Sequence, residues 1–150
     1  MKWRIAVICA VLLLALCSLP AGAAELPGEG EKYIVVPLDE YSDTQRAAPI
    51  TGTIRQGETQ AYTYQVVPGK TKLTLHLEWT SGTGNDLTLK VHTPENQNMG
   101  PYNDDFDGQD DNKIGVGIIK NPLSSGEWKF EISGYQVSGT ESFSLTINAI

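Results

Sequence analysis

Cysteine is missing from the chain beyond position 17. Cys9 and Cys17 are the only two, and both lie in a short apolar run near the N-terminus. The remainder therefore has no disulfide, no thiolate nucleophile and no sulfur ligand for a metal. Histidine is nearly as scarce, with His76 and His92 alone, and neither H-E-x-x-H nor G-x-S-x-G occurs. Both histidines fall on the polar phase of alternating segments, as solvated strand residues do; a Ser-His-Asp assembly converging in space is the enzymatic alternative. A jelly-roll glycosidase needs two carboxylates across a cleft, whereas Glu78 and Glu131 stand singly on outward-facing phases. The chain thus reads as non-catalytic. Basic residues are few, 11 against 18 acidic, for a net charge of −7. A polyanion would be repelled, which makes nucleic acid and anionic membrane surfaces poor partners.

The first residues look like an export signal. Lys2 and Arg4 in "MKWR" precede the apolar run "IAVICAVLLLAL", and "AGA" at Ala21 to Ala23 has the small-x-small pattern of a cleavage site. The expectation is a signal peptide over 1–23, cleaved near Ala23, and a secreted, extracellular product. The run from Ile5 to Leu19 is shorter than the roughly 20 residues of a membrane span. An uncleaved anchor and a lipid on Cys17, which follows the bulky Leu16, are the alternatives. The rest of the chain is long enough for one sizeable core. Residues 24–49, rich in Pro, Gly and charge, read as a leader or tether with one edge strand at "YIVVPL", where Pro37 suits an edge. Residues 50–150 read as a single β domain.

Alternation dominates that domain. "KLTLHLEW" puts Leu73, Leu75, Leu77 and Trp79 on one face, and "DLTLKVH" does the same with Leu87, Leu89 and Val91. "AYTYQV", "KIGVGIIK", "EWKFEI" and "FSLTI" continue the pattern, "ITGTIR" more weakly. Trp79 and Trp128 keep phase with the apolar residues of their strands and so read as core. Gly115 and Gly117 alternate with apolar residues, where a bulge or another backbone comes close. Turn signals such as "VPGK" and "SGTGND" separate the runs, and no stretch of ten residues has helical periodicity. Seven or eight half-buried strands need two facing sheets, so the fold class is all-β, an antiparallel β-sandwich.

The order of these pieces resembles the bacterial and archaeal pre-peptidase C-terminal domain. The resemblance is carried by "TGTIRQGETQAYTYQVVPGKTKLTLHLEWTSGTGNDLTLKVHTPENQ" and "SGEWKFEISGYQVSGTESFSLTI", about Thr51 to Ile147. Family members often have "D-L-D-L" where this chain has Asp86 and then Thr88. The resemblance implies a jelly-roll-like sandwich, a non-catalytic accessory to exported enzymes that helps binding, folding or localisation. It also brings in the related collagen-binding modules of clostridial collagenases, which bind calcium through acidic residues. With no protease domain ahead of the module, a partner would be met in trans, either an extracellular protein or a polysaccharide.

One segment breaks the alternation. "YNDDFDGQDDNK", Tyr102 to Lys113, has five aspartates in twelve residues and ends a connection running from about Thr93 to Asn112. Asn103, Asp105, Asp107 and Gly108 occupy the first, third, fifth and sixth places of a calcium loop and Asp111 the ninth, with Asp104 and Asp110 as secondary ligands. The twelfth place holds Ile114 instead of a bidentate Glu. Two readings follow: a calcium site, or a solvated loop of the kind Asp, Asn and Gly often build. Tyr102 and Phe106, with Tyr41 and Tyr135, would form an aromatic platform if the domain bound carbohydrate.

Overall fold

The computed structural model describes residues 32–38, 47–80 and 84–150. The expected signal peptide, Cys9, Cys17, Tyr41 and most of the leader lie outside the described residues. Among the described residues nine strands are present: β1 (Ile34–Pro37), β2 (Ile50–Arg55), β3 (Thr59–Val66), β4 (Lys72–Trp79), β5 (Asp86–His92), β6 (Asn98–Tyr102), β7 (Lys113–Ile119), β8 (Gly126–Gln136) and β9 (Thr140–Ala149). They form a five-stranded sheet in the order β1-β7-β4-β9-β2 and a four-stranded sheet in the order β3-β8-β5-β6. Every pairing is antiparallel. The β-sandwich read from the alternation is the observed fold, with one strand more than expected.

The extra strand is β6. Its sequence, NMGPY, has glycine and proline at its centre and no period-two pattern, so nothing in it announces a strand. It splits the expected twenty-residue connection, and a single 3-10 turn, Asp104–Asp107, fills much of the rest. Tyr102, expected in a loop, is instead the last residue of β6. It pairs with Leu89 and is a core residue, 9% exposed.

The core lies between the sheets and is built from the apolar phases. Leu73, Leu75 and Leu77 of β4 and Leu87, Leu89 and Val91 of β5 have no exposed surface, nor do Phe130 and Ile132 of β8. Trp128 is fully buried and Trp79 is 5% exposed. Truncating a buried aromatic of this kind to alanine costs about 3–5 kcal/mol, through lost transfer free energy and the cavity left behind. Pro37 ends the short edge strand β1, where no further strand needs its missing N–H. The chain then crosses Gly115, where an added Cβ would collide with the Leu38 carbonyl. That is the close backbone approach the glycines suggested. Among the described residues no helix is long and apolar enough to cross a membrane.

The antiparallel registers gather the chemistry at one end of the sandwich. Glu78 pairs with Lys113, Trp79 with Phe143 and Asp86 with Gln136, so the ends of β4 and β8 meet the starts of β5, β7 and β9. The 3-10 turn enters β7 at this same end. The ladder of β5 shifts register between Asp86 and Leu87, an irregularity of the sort that re-aims a side chain.

Candidate metal centre

Asp104 closes the acidic loop. It is 7% exposed, and its carboxylate accepts backbone N–H bonds from Asp111 (3.3 Å), Asn112 (2.8 Å) and Lys113 (3.0 Å). Burial pushes its acid up, and these three bonds pull it back only in part, while Asp110 pushes it up again through a side-chain hydrogen bond. Two carboxyls in such contact need a proton or a cation between them.

Asp86 faces the same cluster from β5. One of its carboxylate oxygens, Oδ1, is buried and has no hydrogen-bond partner. Burial raises its acid, and the charges of Asp104, Asp110 and Asp105 raise it further. Asn103 precedes the 3-10 turn with extended backbone, and its side chain makes no cap bond. Together with Asn85, Asn112 and Gln136, these groups line a cleft of about 350 Å³. The donors are oxygens of carboxylates and amides, the set that a hard cation such as calcium takes. Among the described residues no three acidic or histidine side chains already stand in metal-holding geometry.

The loop positions chosen by spacing divide between two sides of the turn. Asn103 and Asp105 line the cleft with Asp104, Asp110 and Asp86. Asp107 and Asp111 line a separate cavity of about 620 Å³ over the outer face of the five-stranded sheet, with His76, Glu78 and Lys113. Asp107 accepts the Gln109 N–H at 2.9 Å in a local turn, and Asp111 meets Lys113 Nζ at 2.9 Å. A twelve-residue calcium loop wraps one ion with all its ligands; here the 3-10 turn, capped by Gly108 in left-handed conformation (φ 87°), sends the acids two ways. Asp86 was not named by the loop spacing because strand pairing alone brings it to the cleft; its one sequence signal was the "D-L" of the family resemblance.

Beside the cleft lies a second group with no sequence signal. Glu141 is 1% exposed, and its carboxylate accepts Asn85 Nδ2 at 2.7 Å and the N–H groups of Thr80 and Ser142, each at 3.1 Å. Asn85 in turn accepts the Ser138 N–H at 2.7 Å and, through its carbonyl, Trp79 Nε1 at 2.9 Å. This network fixes the floor from which Asp86 projects.

The remaining candidates stand apart. His76 is half-buried on the outer face of β4, opposite Gly115 and Thr146, and burial with the charge of Lys72 lowers its basicity. His92 Nε2 lies 3.1 Å from Glu131, close but not aligned as a hydrogen bond, and Lys129 reaches the same carboxylate at 2.7 Å. The hydrogen bond from Lys129, with His92 close beside the carboxylate, holds Glu131 down to about 2. Phe106 is half-buried and packs on Tyr102 at 4.6 Å between ring centres, so this pair turns one ring into the core. Tyr135, by contrast, is 67% exposed.

No protein-family model and no curated protein sequence matches the chain. Among solved structures it is similar to the CspB protease of Clostridium perfringens, with a TM-score of 0.51 at 11% identity. The match covers 66% of this chain but only 25% of that one, so it is a likeness of fold to one part of a longer protein.

Proposed function

We propose that the chain is an exported, non-catalytic accessory module of the pre-peptidase C-terminal kind, which binds an extracellular protein and is stabilised at its acidic end by calcium. The observation that carries this reading is the acidic cleft, where the buried Asp86 Oδ1 lacks a partner while Asp104, Asp105 and Asp110 crowd it with like charge. The likeness of fold to one part of a longer protease chain agrees with a role beside an enzyme, while the fold by itself assigns none.

Asp86, Asp105 and Asp110 would hold the ion, with Asn103 adding a neutral oxygen. Asp104 is committed to three backbone N–H groups and orients the loop while offering its remaining lone pairs. A bound divalent cation would supply the positive charge that offsets the repulsion among these acids. An ion held between Asp86 and the loop acids would tie the 3-10 turn to β5. The loop between β6 and β7 would then present a fixed surface to a partner.

Two measurements test this. The melting temperature should rise when chelator is replaced by millimolar calcium, and a wild-type curve indifferent to the exchange defeats the calcium part. Capture on the immobilised chain from the host's own medium should retain an exported enzyme; retention of none, with the calcium response intact, defeats the accessory part alone.

A further inference from the structure

Four strands form the edges of the two sheets, and three of them carry features that discourage pairing with another chain. β1 has four residues and ends in Pro37. β6 has five, is interrupted by Gly100 and Pro101, and slips register against β5. β2 has six, follows Pro49 and ends in the charged Arg55. Short length, proline, irregularity and edge charge are the devices by which sheet proteins blunt open edges.

β3 has none of them. It runs eight residues, TQAYTYQV, with no proline, no glycine and no charge, and pairs with β8 at all eight positions without a shift. Threonine, tyrosine and valine favour strand geometry. Among the described residues, β8 is its only neighbour in the sheet, so alternate N–H and C=O groups along β3 point outward with no strand to receive them. Thr59, Ala61, Thr63 and Gln65 are exposed on the outer face, while Gln60, Tyr62 and Tyr64 are half-buried on the inner face.

We infer that β3 pairs with the β3 of a second copy of this chain, antiparallel about a two-fold axis, joining the two four-stranded sheets into one of eight. The chain's net charge of −7 opposes random contact between copies, yet this strand meets itself with no like charge in the pair. Side chains keep their faces only if like-facing residues pair, which leaves two central registers. One sets Thr63 opposite the partner's Thr63 and aligns Lys129 with the partner's Lys129. The other centres on Tyr62 and sets Ala61 opposite the partner's Thr63. Because Ala61 pairs with Glu131 and Thr63 with Lys129 across β8, the second register runs Glu131, Ala61, the partner's Thr63 and the partner's Lys129 in one row. Lys129 is held by Glu131 of its own chain at 2.7 Å, so these charges choose between registers without making the contact, and the Tyr62-centred register, which puts no like charges in one row, is the one proposed.

Sedimentation equilibrium of the protein, exported through its own N-terminal segment, tests this. An edge-on contact is small, and the expected dissociation constant is on the order of 10–100 µM. Ala61→Lys/Thr63→Lys changes two exposed positions and should weaken the dimer about tenfold or more. Hydrogen exchange gives a readout on the unaltered chain: amides within Thr59–Val66 should slow as protein concentration rises, and those of β2 and β6 should not. Oxidation of a mixture of Ala61→Cys and Thr63→Cys proteins should give a mixed disulfide dimer in preference to Thr63→Cys alone. A wild-type chain that stays monomeric about tenfold above that range overturns the proposal. So does exchange in β3 that ignores concentration, or a double-lysine dimer as tight as wild type.

Discussion

The two ends of the sandwich treat their carboxylates in opposite ways. Away from the acidic cleft, Glu95 receives the Tyr33 hydroxyl at 2.8 Å and lies 3.6 Å from Lys120 Nζ. The Tyr33 oxygen also hydrogen-bonds the Ser124 hydroxyl at 2.5 Å, and the ring lies beneath Lys120 at 4.4 Å and meets Trp128 edge-on at 5.5 Å. Burial alone would raise Glu95, but hydrogen bonds from Ser124 and Tyr33 outweigh it and hold the acid at about 2. Tyr33 is pushed up to about 12, chiefly by burial. At the other end, Asp86 and Asp104 are raised, and Asp86 keeps an oxygen without a partner. Glu141 and Asp104 are well bonded there, so the contrast rests on Asp86, and it is on this unpartnered oxygen that the proposed calcium site depends.

The largest expected effect comes from the one well-satisfied acid in the cleft. Asp104→Ala strands three backbone N–H groups and should cost about 3 kcal/mol in urea unfolding, whereas Asp104→Asn, which keeps an acceptor, should cost markedly less. At the clamp, Tyr33→Phe removes two hydrogen bonds but keeps the ring against Trp128, so about 1 kcal/mol is expected from the same measurement. Asp107→Asn, which keeps an acceptor for the Gln109 N–H in its local turn, should stay within about 0.5 kcal/mol.

Acid sharpens the contrast. Asp86 and Asp104 have folded values raised above 3.8, so the native state binds their protons first, and in chelator stability should rise as pH falls through those raised values to 3.8. Glu95 and Glu131 lie at about 2 against an ordinary 4.5, so the stability they add is present above 4.5 and lost as pH falls toward 2. Melting temperature against pH should therefore rise and then fall. Asp86→Asn should flatten the rise, and Glu95→Gln the fall; a monotonic wild-type profile contradicts the assignment.

Much of this fold was legible because alternation reports burial directly. β4, β5, β7, β8 and β9 lie where their apolar phases put them, and Trp79 and Trp128 are core. β6 was not legible, since Gly100 and Pro101 erase its period, and strand order follows from long-range pairing that local patterns do not carry. The candidate site was half legible. Composition marked the loop that lines the acidic cleft, and spacing named Asn103 and Asp105 within it, but Asp107 and Asp111 face another cavity. Asp110 and Asp104, secondary by spacing, line the cleft. Asp86 belongs to a strand elsewhere in the sequence, and the buried Glu141 network beneath it depends on contacts between segments far apart in the chain.

The most direct test is a calcium titration of the melting temperature in the wild type, Asp86→Asn/Asp110→Asn and Asp107→Asn, each begun in chelator. Wild type and Asp107→Asn should gain about 2.7 kcal/mol at a hundredfold excess over the dissociation constant, and the double variant should gain little. Magnesium should do less in all three, because its smaller octahedral shell suits a loose oxygen cleft poorly. A wild-type curve unmoved by calcium, or a response lost with Asp107 and kept without Asp86 and Asp110, would contradict the account.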